Sequence, residues 1–207
     1  MEKERRVKNK VIYRQACWQD IDALCELELK VWGKEMAAGR DKWESRLKIF
    51  PEGVNVAEKD RKLVGVLVIQ MIKWNYPPGY FPTWEEVTAN GYITNHDSDG
   101  DTMYGVNLTV LPGMPGVAQR LTQLGISYKK KSGAKNGYFG CRIPSLKSFL
   151  KKRKISEVDN DIVKAAALHD PEVRFFIQNG LRLKYIKEKY FLPDNQSLGW
   201  GIILESE

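Results

Sequence analysis

The stretch from Thr102 to Lys131 constrains this chain most. Thr102 to Val110 alternates and branches as a strand does, and it runs at once into Pro112-Gly113-Met114-Pro115-Gly116. A helix follows from about Val117 to Lys131, with Val117, Leu121, Leu124 and Tyr128 on one side. A helix start presents unpaired backbone N–H groups and a positive dipole end, which suit a phosphate. Glycines let that backbone approach an anion without a Cβ in the way. The same glycines serve equally well in a tight strand-to-helix connection. On the residues of this turn alone, both readings stand.

The segments around it fit one mixed α/β unit. Val11 to Gln15 reads as a strand, and an amphipathic helix starts at Asp20 and stops at Gly33. A second helix begins at Asp41, with Glu44 completing a capping box, and ends before Pro51. Val54 to Glu58 and Leu63 to Trp74 form a hairpin about the polar turn Lys59-Asp60-Arg61. Asn136-Gly137 reads as a turn and Tyr138 to Cys141 as a short buried strand. Ser145 to Lys154 and Ser156 to His169 read as two inserted helices. Asp170-Pro171-Glu172 is a capped helix start, burying Val173, Phe176 and Ile177 and stopping at Asn179-Gly180. Leu181 to Tyr190 and Leu198 to Leu204 close the chain as strands. The fold class is therefore α/β (α+β): a mixed central sheet, antiparallel in its N-terminal half, flanked by helices. The 207 residues suit a single domain, 1–207, with insertions at about 75–100 and 142–169.

Composition narrows the function classes. The apolar run Leu63 to Ile69 is far too short for a membrane span, and Met1-Glu2-Lys3-Glu4-Arg5-Arg6 has no apolar stretch behind it, so no signal peptide is expected. Cys17, Cys25 and Cys141 lack paired spacing, which argues against disulfides and a zinc knuckle and for a cytoplasmic setting. His96 and His169 are the only histidines, so no metal site is expected. The net charge of +7 gathers in the N-terminal tail, Lys129-Lys130-Lys131 and Lys151-Lys152-Arg153-Lys154. With no nucleic-acid signature beside it, this charge reads as solvated helix ends or a landing zone for an anionic cofactor.

Leu108-Thr109-Val110, Pro112, Gly116-Val117-Ala118 and Leu121 resemble the acyl-CoA signature of the GNAT N-acyltransferases, and the element order matches that family over nearly the whole chain. Phe175-Phe176-Ile177-Gln178-Asn179-Gly180-Leu181 resembles the family's last helix and its exit. Phe50-Pro51-Glu52-Gly53, Asn90 to Asp97, Gly100-Asp101-Thr102, Tyr104-Gly105-Val106, Arg142-Ile143-Pro144 and Leu192-Pro193-Asp194 resemble, more narrowly, the acetyltransferase domain fused ahead of carbon–nitrogen hydrolase (nitrilase-like) domains. On that likeness the chain represents the acyltransferase part alone or a stand-alone relative.

The resemblance implies transfer of an acetyl group from acetyl-CoA, as cosubstrate, to a small-molecule or peptide amine. It implies cofactor binding at Leu108, Val110, Gly113, Met114, Gly116, Val117, Ala118 and Gln119. A non-catalytic CoA-binding or interaction module, partnering a separate amidohydrolase, is the alternative, and homodimerisation is open. Gly113 stands where the family has Arg or Gln, the turn is about two residues short, Pro115 removes one N–H, and Phe176 stands where many members place a Tyr acid. His96 and Asp101 are the candidates for relaying the amine's proton. Trp84 and Tyr92, in the aromatic insertion, are the candidates for lining the acceptor pocket.

Overall fold

In a computed structural model the described residues, 10–207, form one seven-stranded sheet of order β1-β2-β3-β4-β5-β7-β6. The strands are β1 (Ile12–Gln15), β2 (Val54–Lys59), β3 (Lys62–Ile72), β4 (Thr102–Val110), β5 (Asn136–Cys141), β6 (Leu181–Lys187) and β7 (Gly201–Ser206). The first four pair antiparallel, β4 and β5 pair parallel, and β7 runs antiparallel to both of its neighbours. The antiparallel N-terminal half is as the hydrophobic pattern requires. The basic N-terminal tail and the chain start lie outside the described residues.

The helices are α1 (Ile21–Met36), α2 (Arg40–Ile49), α3 (Trp84–Thr88), α4 (Val117–Ser132), α5 (Leu146–Arg153), α6 (Asn160–Ala167) and α7 (Pro171–Gln178). β3 is buried from Leu63 to Ile72 because helices and the 75–100 segment cover both its faces, and this accounts for its unbroken apolar run. Gly65, Leu67 and Ile69 meet α4 at Val117, Leu121 and Gly125. On the opposite face Gln70 donates to the Val87 carbonyl at 2.5 Å. Fully buried Leu24, Leu27, Trp43, Leu67, Ile69, Met103 and Leu121 fill the layers, each worth roughly 1.5–3 kcal/mol against exposure.

Several local expectations shift. Gly33, with φ of 70°, breaks α1 rather than ending it. α2 starts at Arg40 behind Gly39, and no side chain caps it; Glu44 instead faces Arg40 at 3.5 Å. Asn136 and Gly137 are strand, since β5 pairs with β4 from Asn136 onward, and the chain reverses earlier, at Gly133, with φ of 73°. Ile177 is exposed, because α7 turns Val173 and Phe176 inward. The 75–100 segment keeps one short helix, α3, capped by Thr83 and Glu86.

Asp170 caps α7 as the sequence indicates: its Oδ1 accepts from the amides of Glu172 at 2.8 Å and Val173 at 3.4 Å. Its Oδ2 accepts from the Ser145 amide at 2.9 Å and hydroxyl at 2.6 Å, so one fully buried carboxylate ties α5 to α7. Asp170→Ala removes a cap worth about 1 kcal/mol and orphans buried donors at about 1–3 kcal/mol. The expected outcome in urea unfolding is a loss of about 2–4 kcal/mol.

Candidate active site

β4 and β5 pair only from Thr102↔Asn136 to Gly105↔Phe139. Beyond that point β4 continues to Val110 against β3, and β5 continues to Cys141 against β7, with no pairing across the gap. Two glycines sit at the fork. A Cβ on Gly105 would lie 2.4 Å from the Phe139 ring, and one on Gly140 would lie 1.5 Å from the Tyr190 hydroxyl. β4 also bulges here: Ile69 pairs with Gly105 and Val68 with Asn107, leaving Val106 extra. The Val106 carbonyl accepts from Trp84 Nε1 at 2.9 Å.

The fork opens into a cavity of about 410 Å³. Leu108, Val110 and Ala118 line one side of it, with Phe139, Cys141 and Phe176 across the gap. Phe176 is buried, its ring centroid 5.9 Å from that of Phe139, so the position is apolar packing with no proton to give. Tyr190 also lines the cavity, and its hydroxyl shares a hydrogen bond with that of fully buried Tyr104. Burial and the neighbouring Tyr104 raise the Tyr190 phenol well above its ordinary range.

Charged groups occupy two parts of the wall. In one, Arg142 forks onto Asp194 at 2.7 and 2.9 Å, stacks 5.1 Å over Trp32, and lies 4.0 Å from Glu172. Burial pushes the Glu172 carboxyl up to about 7, against the pull of Arg142. In the other, Glu28 is buried on α1 and accepts from Asn107 at 3.0 Å, the Ala38 amide at 3.1 Å, and Thr109. Thr109 in turn accepts from Trp32 Nε1 at 2.6 Å. Lys42 and Arg46, on α2, line the wall beside Glu28.

The sequence candidates divide. Leu108, Val110, Ala118 and Trp84 line the cavity. Gly113, Met114, Gly116, Val117 and Gln119 form the turn and helix start beyond it. Gly113 and Gly116 are required there by their φ of 79° and 77°, not by crowding. Tyr92 lies outside the cavity wall, bonding Asp41 through its hydroxyl. His96 also lies outside it. The His96 ring stacks on Phe50 at 4.1 Å, and its Nδ1 accepts from the Met71 amide at 3.1 Å. Burial lowers its pKa. Asp101 brackets the sheet, accepting from the Trp74 amide and the Thr102 hydroxyl, each at 3.1 Å. Glu28, Lys42, Arg46, Arg142, Glu172 and Tyr190 were missed by sequence reasoning. Only Arg142 and Asp194 had a signal, within the Arg142-Ile143-Pro144 and Leu192-Pro193-Asp194 resemblances.

A parallel pair that parts at a bulge over a glycine-turned helix defines the GNAT fold, and the chain has that fold. It superposes on the loading GNATL domain of CurA from Lyngbya majuscula with a TM-score of 0.77 at 18% identity, covering 96% of this chain and 98% of that one. It matches the GphF GNAT-like decarboxylase, solved in complex with isobutyryl-CoA, with a TM-score of 0.72 at 22% identity over 94% and 98%. In sequence it is similar to the Bacillus subtilis (strain 168) probable hydrolase YhcX, 27% identical over 97% of this chain. The chain spans 39% of that relative's length. It is also similar to the uncharacterized N-acetyltransferase YkwB of the same organism, 26% identical over 90% of this chain and 84% of the relative. No family model matches it. Among the described residues no helix is long and apolar enough to cross a membrane, and no group of three or more His, Cys, Asp or Glu side chains could hold a metal ion.

Cys141 faces this site but is buried, and desolvation raises its thiol well above the ordinary range. A thiol that stays protonated is a poor nucleophile. Limited iodoacetamide at neutral pH, read by peptide mass spectrometry, is expected to label exposed Cys17 and to leave Cys141 unmodified until the protein unfolds.

Proposed function

We propose that the chain transfers an acyl group from acyl-CoA, with acetyl-CoA as the first expected donor, to an amine by direct attack. The single observation that carries this reading is the fork after Gly105, whose open β4 edge and 410 Å³ cavity suit an extended amide chain lying as an added strand. The likeness to YkwB and to the acyl-CoA complex of GphF supports it. The donor would be held along Leu108 and Val110, with its phosphates at the turn from Gly113 through Met114 and Gly116 to Val117, Ala118 and Gln119. It supplies a thioester whose C–S bond breaks as the amine's C–N bond forms.

Within this reading the proton roles move from His96 and Asp101 to groups in the cavity wall. Glu172, with a carboxyl near 7, takes one proton from the ammonium acceptor, and the second proton shed by the nitrogen passes to the departing thiolate. Two hydroxyls own two protons, and the bond between Tyr104 and Tyr190 uses one of them. Either hydroxyl can donate in that bond, and of the two only Tyr190 lines the cavity. When Tyr104 donates, the Tyr190 proton is left for a group in the cavity, in the role a tyrosine at position 176 would have filled. The 75–100 insertion contributes Trp84 to the acceptor wall, and the 142–169 insertion contributes Arg142.

A second reading, loss of carbon dioxide from a carboxylated acyl-CoA, is favoured by the GphF likeness together with the cations on the wall. Incubation with acetyl-CoA and an amine panel, and separately with malonyl-CoA, followed by mass spectrometry, distinguishes the two. Binding with neither product would leave a CoA-binding module.

Acetyl-CoA is expected to raise the melting temperature. Ala118→Glu should abolish that shift by placing an anion where the phosphates belong, while Ala118→Ser keeps it. An undiminished shift in Ala118→Glu would put the phosphates elsewhere. If Glu172 must be ionised to accept the proton, turnover climbs as pH rises through about 7. Glu172→Gln should flatten that rise and lower turnover by about 10²–10⁴-fold. Retention of the rise in Glu172→Gln, with its loss in His96→Ala, would return the role to His96.

A further inference from the structure

The α2 part of the cavity wall holds two cations that no carboxylate of the described residues meets at ion-pair distance, although the charges of Glu28, Asp41 and Glu85 act on them from farther off. Arg46 is 1% exposed, and its guanidinium lies 4.6 Å over the Trp43 ring. Nε donates to the Gly91 carbonyl at 2.8 Å, while Nη1 is buried and finds no partner among the described residues. No carboxylate of the described residues comes within 4.0 Å of Arg46 or of Lys42. Lys42 sits 5.8 Å over Trp84 and 5.7 Å over Tyr92, and burial and the Arg46 charge lower its pKa. Of the acids whose charge acts on these two cations, Glu28 is already engaged by Asn107, Thr109 and the Ala38 amide, Asp41 is bonded by the Tyr92 hydroxyl, and Glu85 acts on Lys42 without forming an ion pair with it. A buried guanidinium with an unused donor is costly unless something pairs with it.

This corner adjoins the reactive part of the fork. Trp84 bonds the Val106 carbonyl, and a Cβ on Gly91 would lie 2.6 Å from the Trp84 ring and 3.1 Å from Arg46 Nη2. Ala118 and the phosphate turn lie at the other end of the β4 edge, beyond Val110. What reaches the Arg46 corner is therefore the reacting end of the bound molecules, the acyl group or its acceptor, and not the far end of the donor. Arg is suited to a carboxylate through its planar fork, with Lys supplying a second, point-like charge.

We propose that Arg46 and Lys42 form a carboxylate-binding corner, which makes the acceptor an amino acid or another amine that carries a carboxylate. Naming the acceptor rests on the acyl-transfer reading above; the anion site itself does not. The corner gives the acceptor's orientation: with the carboxylate at α2, the amine is left to face the fork, Glu172 and Tyr190.

The test has three arms, each run on the wild type, Lys42→Met and Arg46→Gln. The first follows thiol release from acetyl-CoA with matched pairs, lysine against 1,5-diaminopentane and phenylalanine against 2-phenylethylamine. The acid-bearing member is expected to win in kcat/KM by roughly ten- to a hundredfold. That preference should collapse in Lys42→Met, which keeps the buried Arg46 and so guards against a failure of Arg46→Gln to fold. The second compares calorimetric affinities of malonyl-CoA and acetyl-CoA. A carboxylate preference confined to this arm overturns the acceptor assignment. The third titrates succinate against neutral succinamide by protein-observed NMR without any CoA. Succinate-specific shifts at Lys42 and Arg46, lost in the variants, support the anion site even if acetyl-CoA does not bind and the acyl-transfer reading falls. No discrimination in any arm, or discrimination unchanged in both variants, overturns the proposal.

Discussion

The structure turns on one interruption: β4 and β5 stop pairing after Gly105 and Phe139. A parallel pair in a buried sheet would ordinarily satisfy its backbone to the end of both strands. Here the Phe139 ring occupies the side-chain space of Gly105, and the Tyr190 ring and hydroxyl occupy those of Gly201 and Gly140. Both glycines of the fork are thus demanded by close approach, and the Val106 bulge turns β4 as it leaves its neighbour. Every side chain assigned a role lies around that gap.

The wall of the gap is electrostatically divided. Around Arg142, cations and acids are matched: the Asp194 fork meets the guanidinium, and Asp194 is held down by Arg142 and Ser197 although burial opposes it. Around α2 the match fails, because Glu28 spends its oxygens on α1–β4 contacts and leaves two cations without an ion pair among the described residues. Uniform packing explains the first arrangement. The second makes physical sense if an anion enters the cavity.

Much of the fold was legible because its signals are local. The bounds of β4 follow from alternation and from Pro112, the start of α7 from Asp170-Pro171, and the hairpin turn from Asp60 and Arg61, which take φ of 51° and 60°. The turn expected at Asn136-Gly137 is strand instead, because that pair is drawn into β5 by Thr102 and Met103 of β4, partners that a local reading does not see. Of the cavity wall, Leu108, Val110, Ala118 and Trp84 are legible because they belong to a motif or a conspicuous insertion. The ordinary pKa of imidazole makes His96 a candidate in the sequence, and the fold instead stacks it on Phe50 and uses its Nδ1 to satisfy Met71.

The fold class follows from periodicities, caps and the glycine-turned helix after β4, since each depends on residues a few positions apart. Which charges share a cavity depends instead on packing between elements far apart in the chain. Glu28, Arg46, Arg142, Glu172 and Tyr190 come from four helices or strand ends and one loop, and nothing in their spacing relates them. Their proximity is set by where α1, α2 and α7 cross the sheet. Those crossings follow from the sum of many buried apolar contacts rather than from any short motif.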